Sequence, residues 1–239
     1  MPWREKLIIA LDVSESDYAL KLVDKFRDQI EIYKVGLELY TSAGPRIIEE
    51  LHKRNKKVFL DLKFHDIPNT VLKAAIVAAR LGIYMFNVHT SGGVEMMKKC
   101  RDSVTELCLK ENLQRPKIIG VTVLTSLSQQ VLKDELGIQH GLRTHVRHLS
   151  SLAFNAGLDG VVASGHEVSL IRNHCGKGFI IVTPGIRPSW TPPDDQHRTM
   201  TPKQALREGA DYIVMGRAIL AHSDPLKAIE LISLDMLTA

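Results

Sequence analysis

The chain has 239 residues, 44% of them hydrophobic and 24% charged, with a net charge of +4; this composition excludes a disordered or fibrous chain and suits a soluble globular protein. Acids and bases are interspersed, and the only basic run, Lys53-Arg54-Asn55-Lys56-Lys57, reads as a solvated helix end and loop, so a small anionic ligand is expected before a nucleic acid. No apolar stretch approaches the ~20 residues of a membrane span, no secretory leader is read, and the three cysteines, Cys100, Cys108 and Cys175, form no CxxC pair, so reduced thiols, a cytoplasmic location and no membrane partner are expected.

Short apolar runs alternate with amphipathic stretches along the chain. Residues 7–11 read as a first strand that stops at Asp12, followed by helical spacing over 17–26. A second strand, 32–37, carries Lys34 and precedes a helix over 45–53. The third strand, 58–62, leads into a helix over 70–81 that Pro68 can enter at its first turn, where a missing N–H costs little. Strand 85–89 pairs with helix 94–110, strand 118–124 with helix 146–155, and strand 160–163 with a short helix over 167–173. Strand 179–183 is followed by helix 201–208, and strand 212–215 by the closing helix 225–237.

Strands alternating with helices predict βαβ units and a parallel sheet. The strands are apolar throughout, as expected when both faces are buried. Eight such units in this length favour a closed (β/α)8 barrel, the TIM-barrel form of the α/β class, over an open doubly wound sheet. A single domain is expected over residues 1–239.

In such a barrel, chemistry sits at the C-terminal ends of the strands and in the loops that follow. Asp12, Asp61, Lys63, His89, Thr125, Ser126, Arg187 and the pair Gly216-Arg217 all fall there. Lys34 lies inside its strand and, facing the barrel, needs a carboxylate partner. The richest segment is Val58-Phe-Leu-Asp61-Leu-Lys63-Phe-His-Asp66-Ile-Pro-Asn-Thr70. Side chains two apart on a strand share a face, so Asp61 and Lys63 are predicted to point together, while Phe59, Leu60 and Leu62 read as core.

Spacing alone fits either a catalytic array or a structural salt-bridge cluster. Asp12 alone fits a turn cap, Thr125 and Ser126 an ordinary strand exit, and Thr70 a first-turn helix residue. His89 reads as packing near the barrel mouth, and His145 and His148, without acidic or cysteine partners, as solvated. Two segments read as phosphate sites. Gly216-Arg217 falls where a helix start after the last strand places N–H groups toward an anion. The long aperiodic segment 184–200 carries Arg187, Gln196 and Arg198 and reads as a lid or binding loop.

Asp61-x-Lys63-x-x-Asp66-Ile-Pro-Asn-Thr70 resembles the signature of the orotidine 5′-monophosphate decarboxylases. Leu11-Asp12, Lys34-Val35-Gly36, Leu124-Thr125-Ser126, Thr183-Pro184-Gly185-Ile186-Arg187 and Gly216-Arg217 follow in the family's order. The extended signature is specific, whereas its Asp-x-Lys-x-x-Asp core is shared with related sugar-phosphate enzymes. Length and loop spacing resemble the bacterial branch. The resemblance implies decarboxylation of orotidine 5′-monophosphate to uridine 5′-monophosphate in pyrimidine synthesis, with no metal and no organic cofactor. It implies an alternating array of Lys34, Asp61, Lys63 and Asp66, with Lys63 as proton donor. A homodimer is implied, its partner supplying Asp66 and Thr70. Asp12 and Lys34 would hold the ribose, Ser126 the pyrimidine with Thr125 beside it, and Arg187, Gln196, Gly216 and Arg217 the 5′-phosphate.

Overall fold

The computed structural model describes residues 3–191 and 199–238. Eight parallel strands close into a barrel in sequence order. They are β1 (Leu7–Ala10), β2 (Ile32–Gly36), β3 (Lys57–Phe64), β4 (Met85–His89), β5 (Lys117–Val121), β6 (Gly160–Val162), β7 (Ile180–Thr183) and β8 (Tyr212–Met215). The ring is sealed by β8 against β1, with Leu7 beside Ile213 and Ile9 beside Met215.

The strand pleat divides the core in two. Ile8, Ala10, Ile32, Phe59, Met85, Ile119, Val182, Tyr212 and Val214 pack together inside the barrel. Their neighbours in sequence, among them Leu7, Ile9, Tyr33, Leu60, Phe86 and Ile213, pack outward under the helices. Each such aliphatic or aromatic side chain contributes about 1.5–3 kcal/mol by leaving water. Continuous apolar strands therefore serve both layers, which is why they show no polar alternation.

At the strand starts the barrel is stoppered. The hydroxyls of Tyr84 and Tyr212 lie 2.7 Å apart, and the Lys57 and Lys117 ammonium groups sit 5.5 and 4.9 Å from the centre of the Tyr84 ring. The buried charged side chains Lys34 and Asp61 lie toward the opposite, C-terminal end.

The helices follow the expected alternation, with Pro68 opening the helix Pro68–Arg80 and the closing helix at Pro225–Leu237. Some boundaries differ. The fifth strand ends at Val121, three residues short of the expected 124; Thr122 leaves the ladder but keeps β6 by donating its N–H and its hydroxyl to the Val162 carbonyl, at 3.2 and 2.9 Å. The second strand stops at Gly36 because Leu37 already begins a helix, Leu37–Ala43. A short helix, Gln129–Asp134, capped by the Ser128 hydroxyl, was not expected either. The third strand runs on to Phe64, with its register to β4 shifting between Leu60 and Phe64.

Candidate active site

The site is built where interior-facing strand positions turn from apolar to charged. On β2 the position after Ile32 on the same face is Lys34, and on β3 the position after Phe59 is Asp61. Both are buried, at 8% exposure. The Lys34 Nζ donates to Asp12 Oδ1 at 2.7 Å and lies 3.3 Å from Asp61 Oδ2. The Lys63 Nζ donates to the other Asp61 oxygen, Oδ1, at 2.7 Å. Asp12, Lys34, Asp61 and Lys63 thus form one line of alternating charge. Lys34 meets the carboxylates that a barrel-facing lysine requires.

Gly36 makes room for this line. A Cβ there would lie 2.9 Å from the Lys34 Nζ and 3.3 Å from Asp12 Oδ1, so the tips of this ion pair would have to shift to admit it. Burial is the largest influence on the Lys34 ammonium and lowers its pKa, but Asp61 and Asp12 together outweigh it and hold the pKa above the ordinary lysine value.

Asp61 and Lys63 meet as expected, but not by strand alternation. Lys63 adopts a left-handed backbone, φ 52°, within the register shift of β3 against β4. The Asn87 side chain, 1% exposed, occupies the irregularity: its Nδ2 donates to Asp61 Oδ1 at 2.6 Å and its Oδ1 accepts the Lys63 N–H at 2.8 Å. Asn87 is the residue that sequence reasoning missed. Its signal was a polar side chain on β4 two positions after barrel-facing Met85.

A cavity of about 460 Å³ opens above this line. Asp12, Lys34, Asp61, Lys63, Thr125, Ser126, Arg187, Gly216 and Arg217 all line it, from strands and loops separated by most of the chain. Thr125 and Ser126 sit in a turn closed by the Leu127 N–H on the Leu124 carbonyl, 3.0 Å. Gly216 caps a four-residue helix, Arg217–Leu220, beside Asp12. The Arg187 loop is pinned at its base. The Arg187 N–H donates to the Met200 carbonyl at 2.9 Å, and Ile186 bridges Met200, with Gly185 supplying the φ of 75° at the turn. Gln196 and Arg198 lie outside the described residues.

Asp66 and Thr70 do not line the cavity. Both are exposed at the entry of the helix Pro68–Arg80, where Asp66 Oδ1 accepts the Ile67 N–H at 2.7 Å beside Ile67, an apolar side chain 67% exposed. His89 packs near the mouth as read, its ring 5.3 Å from that of His65. Burial first, then His65 and Lys63, push its pKa below the ordinary histidine value, against the pull of Asp61. His148 is exposed, whereas His145 is half-buried against His140, with ring centres 5.3 Å apart. Among the described residues no group of three or more His, Cys, Asp or Glu side chains converges as a metal site, and no helix is long and apolar enough to cross a membrane.

The sequence matches the family model described as Orotidine 5′-phosphate decarboxylase / HUMPS family over residues 5–232. An orotidine 5′-phosphate decarboxylase of Syntrophotalea carbinolica is 47% identical over 236 residues, covering 99% of this chain and 96% of its own. One of Legionella pneumophila (strain Lens) is 48% identical over 231 residues, covering 97% and 99%. Among solved structures, the orotidine 5′-phosphate decarboxylase of Lactobacillus acidophilus superposes with a TM-score of 0.85 at 37% identity, covering 97% of this chain and 99% of that one. The line of alternating charge in a barrel mouth and the near full-length likeness lead to one conclusion: the chain belongs to the orotidine 5′-phosphate decarboxylase / HUMPS family.

Proposed function

We propose that this chain decarboxylates orotidine 5′-monophosphate to uridine 5′-monophosphate through Lys63, without metal or organic cofactor. The observation that carries the reading is the line Asp12–Lys34–Asp61–Lys63 in one cavity, with Lys34 and Asp61 buried. Breaking the bond between C6 and its carboxylate releases CO₂ and leaves the electron pair on C6. That pair lies in the ring plane, cannot spread into the π system, and must be stabilised electrostatically. A fixed ammonium beside C6 does so and then delivers its proton there. The neutral amine left behind regains a proton from solvent.

Asp61 aims Lys63 by accepting a hydrogen bond from its ammonium at 2.7 Å. In this reading the partner subunit of a homodimer adds Asp66 and Thr70 across the interface, and exposed Ile67 beside them fits that contact. Asp12 and Lys34 hold the ribose hydroxyls, Ser126 reads the pyrimidine edge, and Thr125 lies beside it. Arg187, Gly216 and Arg217 bind the 5′-phosphate together with Gln196. Binding energy from that remote phosphate is spent on ordering the reacting centre. Asp61 also repels the substrate carboxylate in the ground state, but stabilising the carbanion lowers the barrier more. The three buried, free thiols suit a reducing cytoplasm.

The test is absorbance-monitored turnover of orotidine 5′-monophosphate by the wild type and Lys63→Ala, with and without chelator. The expected result is chelator-insensitive turnover by the wild type and near-complete loss in the variant, with nucleotide binding retained. Chelator-sensitive turnover would redirect the assignment to a metal-dependent sugar-phosphate enzyme. Absence of turnover would leave a nucleotide-binding protein.

A further inference from the structure

We propose that Asn87 is a positioning residue for this reaction, a carboxamide clamp that sets both the Lys63 backbone and the Asp61 carboxylate; the inference rests on the decarboxylation reading above. Lys63 is one of four non-glycine residues with positive φ among the described residues. A side-chain-bearing residue there carries a strain of about 1 kcal/mol or more and persists only where its surroundings hold it. Here the surroundings are specific. The β3–β4 register passes from Leu60 beside Phe86 to Phe64 beside Val88, so four steps of one strand run against two of the other. The Lys63 N–H, displaced from a regular ladder, donates instead to Asn87 Oδ1 at 2.8 Å.

The other end of the same carboxamide reaches the chemistry. Asn87 Nδ2 donates to Asp61 Oδ1 at 2.6 Å, the very oxygen that accepts from the Lys63 Nζ at 2.7 Å. One buried amide therefore joins the main chain and the charged tip of the Lys63–Asp61 pair into a closed circuit. The two bonds also fix which way the amide faces, since the backbone N–H needs an acceptor and the carboxylate a donor. No other side chain of this size offers one acceptor and one donor in that arrangement at neutral pH. Asn87 does not line the cavity, so it acts only through Lys63 and Asp61.

The experiment compares the wild type with Asn87→Ala and Asn87→Asp in steady-state turnover across pH, with circular dichroism at each pH. For Asn87→Ala, kcat should fall by about 100-fold, the scale of a misplaced reacting group. KM should stay within about threefold, since the ribose and phosphate contacts come from other loops. Asn87→Asp preserves shape and the acceptor for the Lys63 N–H, but sets a second carboxyl against Asp61. The introduced carboxyl can donate to Asp61 only while it is protonated, so kcat should be highest at low pH and fall as that proton leaves, in contrast to the wild-type profile. A merely structural asparagine would lower active-enzyme yield in both variants and leave the pH profile of the folded fraction unchanged. Retention of wild-type kcat by Asn87→Ala, a wild-type profile for Asn87→Asp, or loss of fold in both would overturn the proposal. Absence of wild-type turnover would instead defeat the decarboxylation reading. The clamp is then judged from a crystal structure of Asn87→Ala, in which an unchanged Lys63 φ and Lys63–Asp61 contact would refute it.

Discussion

Lys34→Met isolates the charge at the centre of the line, because methionine keeps most of the length and apolar stem. The Lys34 Nζ lies 3.3 Å from Asp61 Oδ2, whose side chain is 12% exposed, and 2.7 Å from Asp12 Oδ1, whose side chain is 53% exposed. Gross attraction is about 5 kcal/mol to Asp61 at an effective dielectric of about 20, and about 1.5 kcal/mol to Asp12 in water-like surroundings. The lysine's own desolvation, several kcal/mol, is recovered on its removal. Asp61 also keeps Lys63 and Asn87 as partners. Breaking a buried pair ordinarily costs about 3–5 kcal/mol, so about 2–4 kcal/mol of lost stability is expected here. Urea unfolding at neutral pH, with an unchanged m value, measures it. Lys34→Met combined with Asp61→Asn removes both charges and should recover most of the stability while remaining inactive. A single variant within about 0.5 kcal/mol of wild type would refute the claim that this buried carboxylate depends on Lys34.

Arg217→Ala should lower kcat/KM by an amount equivalent to several kcal/mol although the residue never meets C6; activity within about twofold of wild type would rule out its phosphate role. A one-to-one mixture of subunits carrying Lys63→Ala and Asp66→Asn should regain about a quarter of wild-type activity, since half the dimers then hold one intact site. Mixing without recovery would place Asp66 outside the shared site. His89 bears on pH. Its folded pKa lies below the ordinary 6.5, so the unfolded chain binds this proton first as pH falls. Stability is then fully present above about pH 6.5 and is lost as pH drops through the folded value. His89→Gln should remove that part of the acid slope of the urea midpoint, and an unaltered slope would count against it.

The barrel was legible because eight apolar strands must each bury two faces, and that requirement is written as uninterrupted hydrophobic runs. The charged residues were legible for the converse reason: Lys34 and Asp61 stand where such runs should stay apolar. What stayed hidden depends on backbone detail without a composition signal. Lysine gives no hint of a left-handed φ, so the irregularity at Lys63 was invisible, and with it the need for Asn87. The helix Leu37–Ala43 was concealed because Leu37, 59% exposed, reads as a continuation of the strand before it. Asp66 and Thr70 stand at the entry of the helix Pro68–Arg80, away from the cavity, and one chain's spacing does not say what they meet.

The tyrosine pair at the base of the barrel has a consequence for traffic. With Tyr84 and Tyr212 joined at one end and an apolar layer above them, the barrel is a vessel with a single opening. In the proposed reaction, carbon dioxide released beside Lys63 would leave by the route the nucleotide entered, and water would reach the carbanion the same way. Whatever covers the mouth therefore governs entry, exit and solvent exclusion at once, while the stoppered end remains free to carry tags or partner contacts without touching the chemistry.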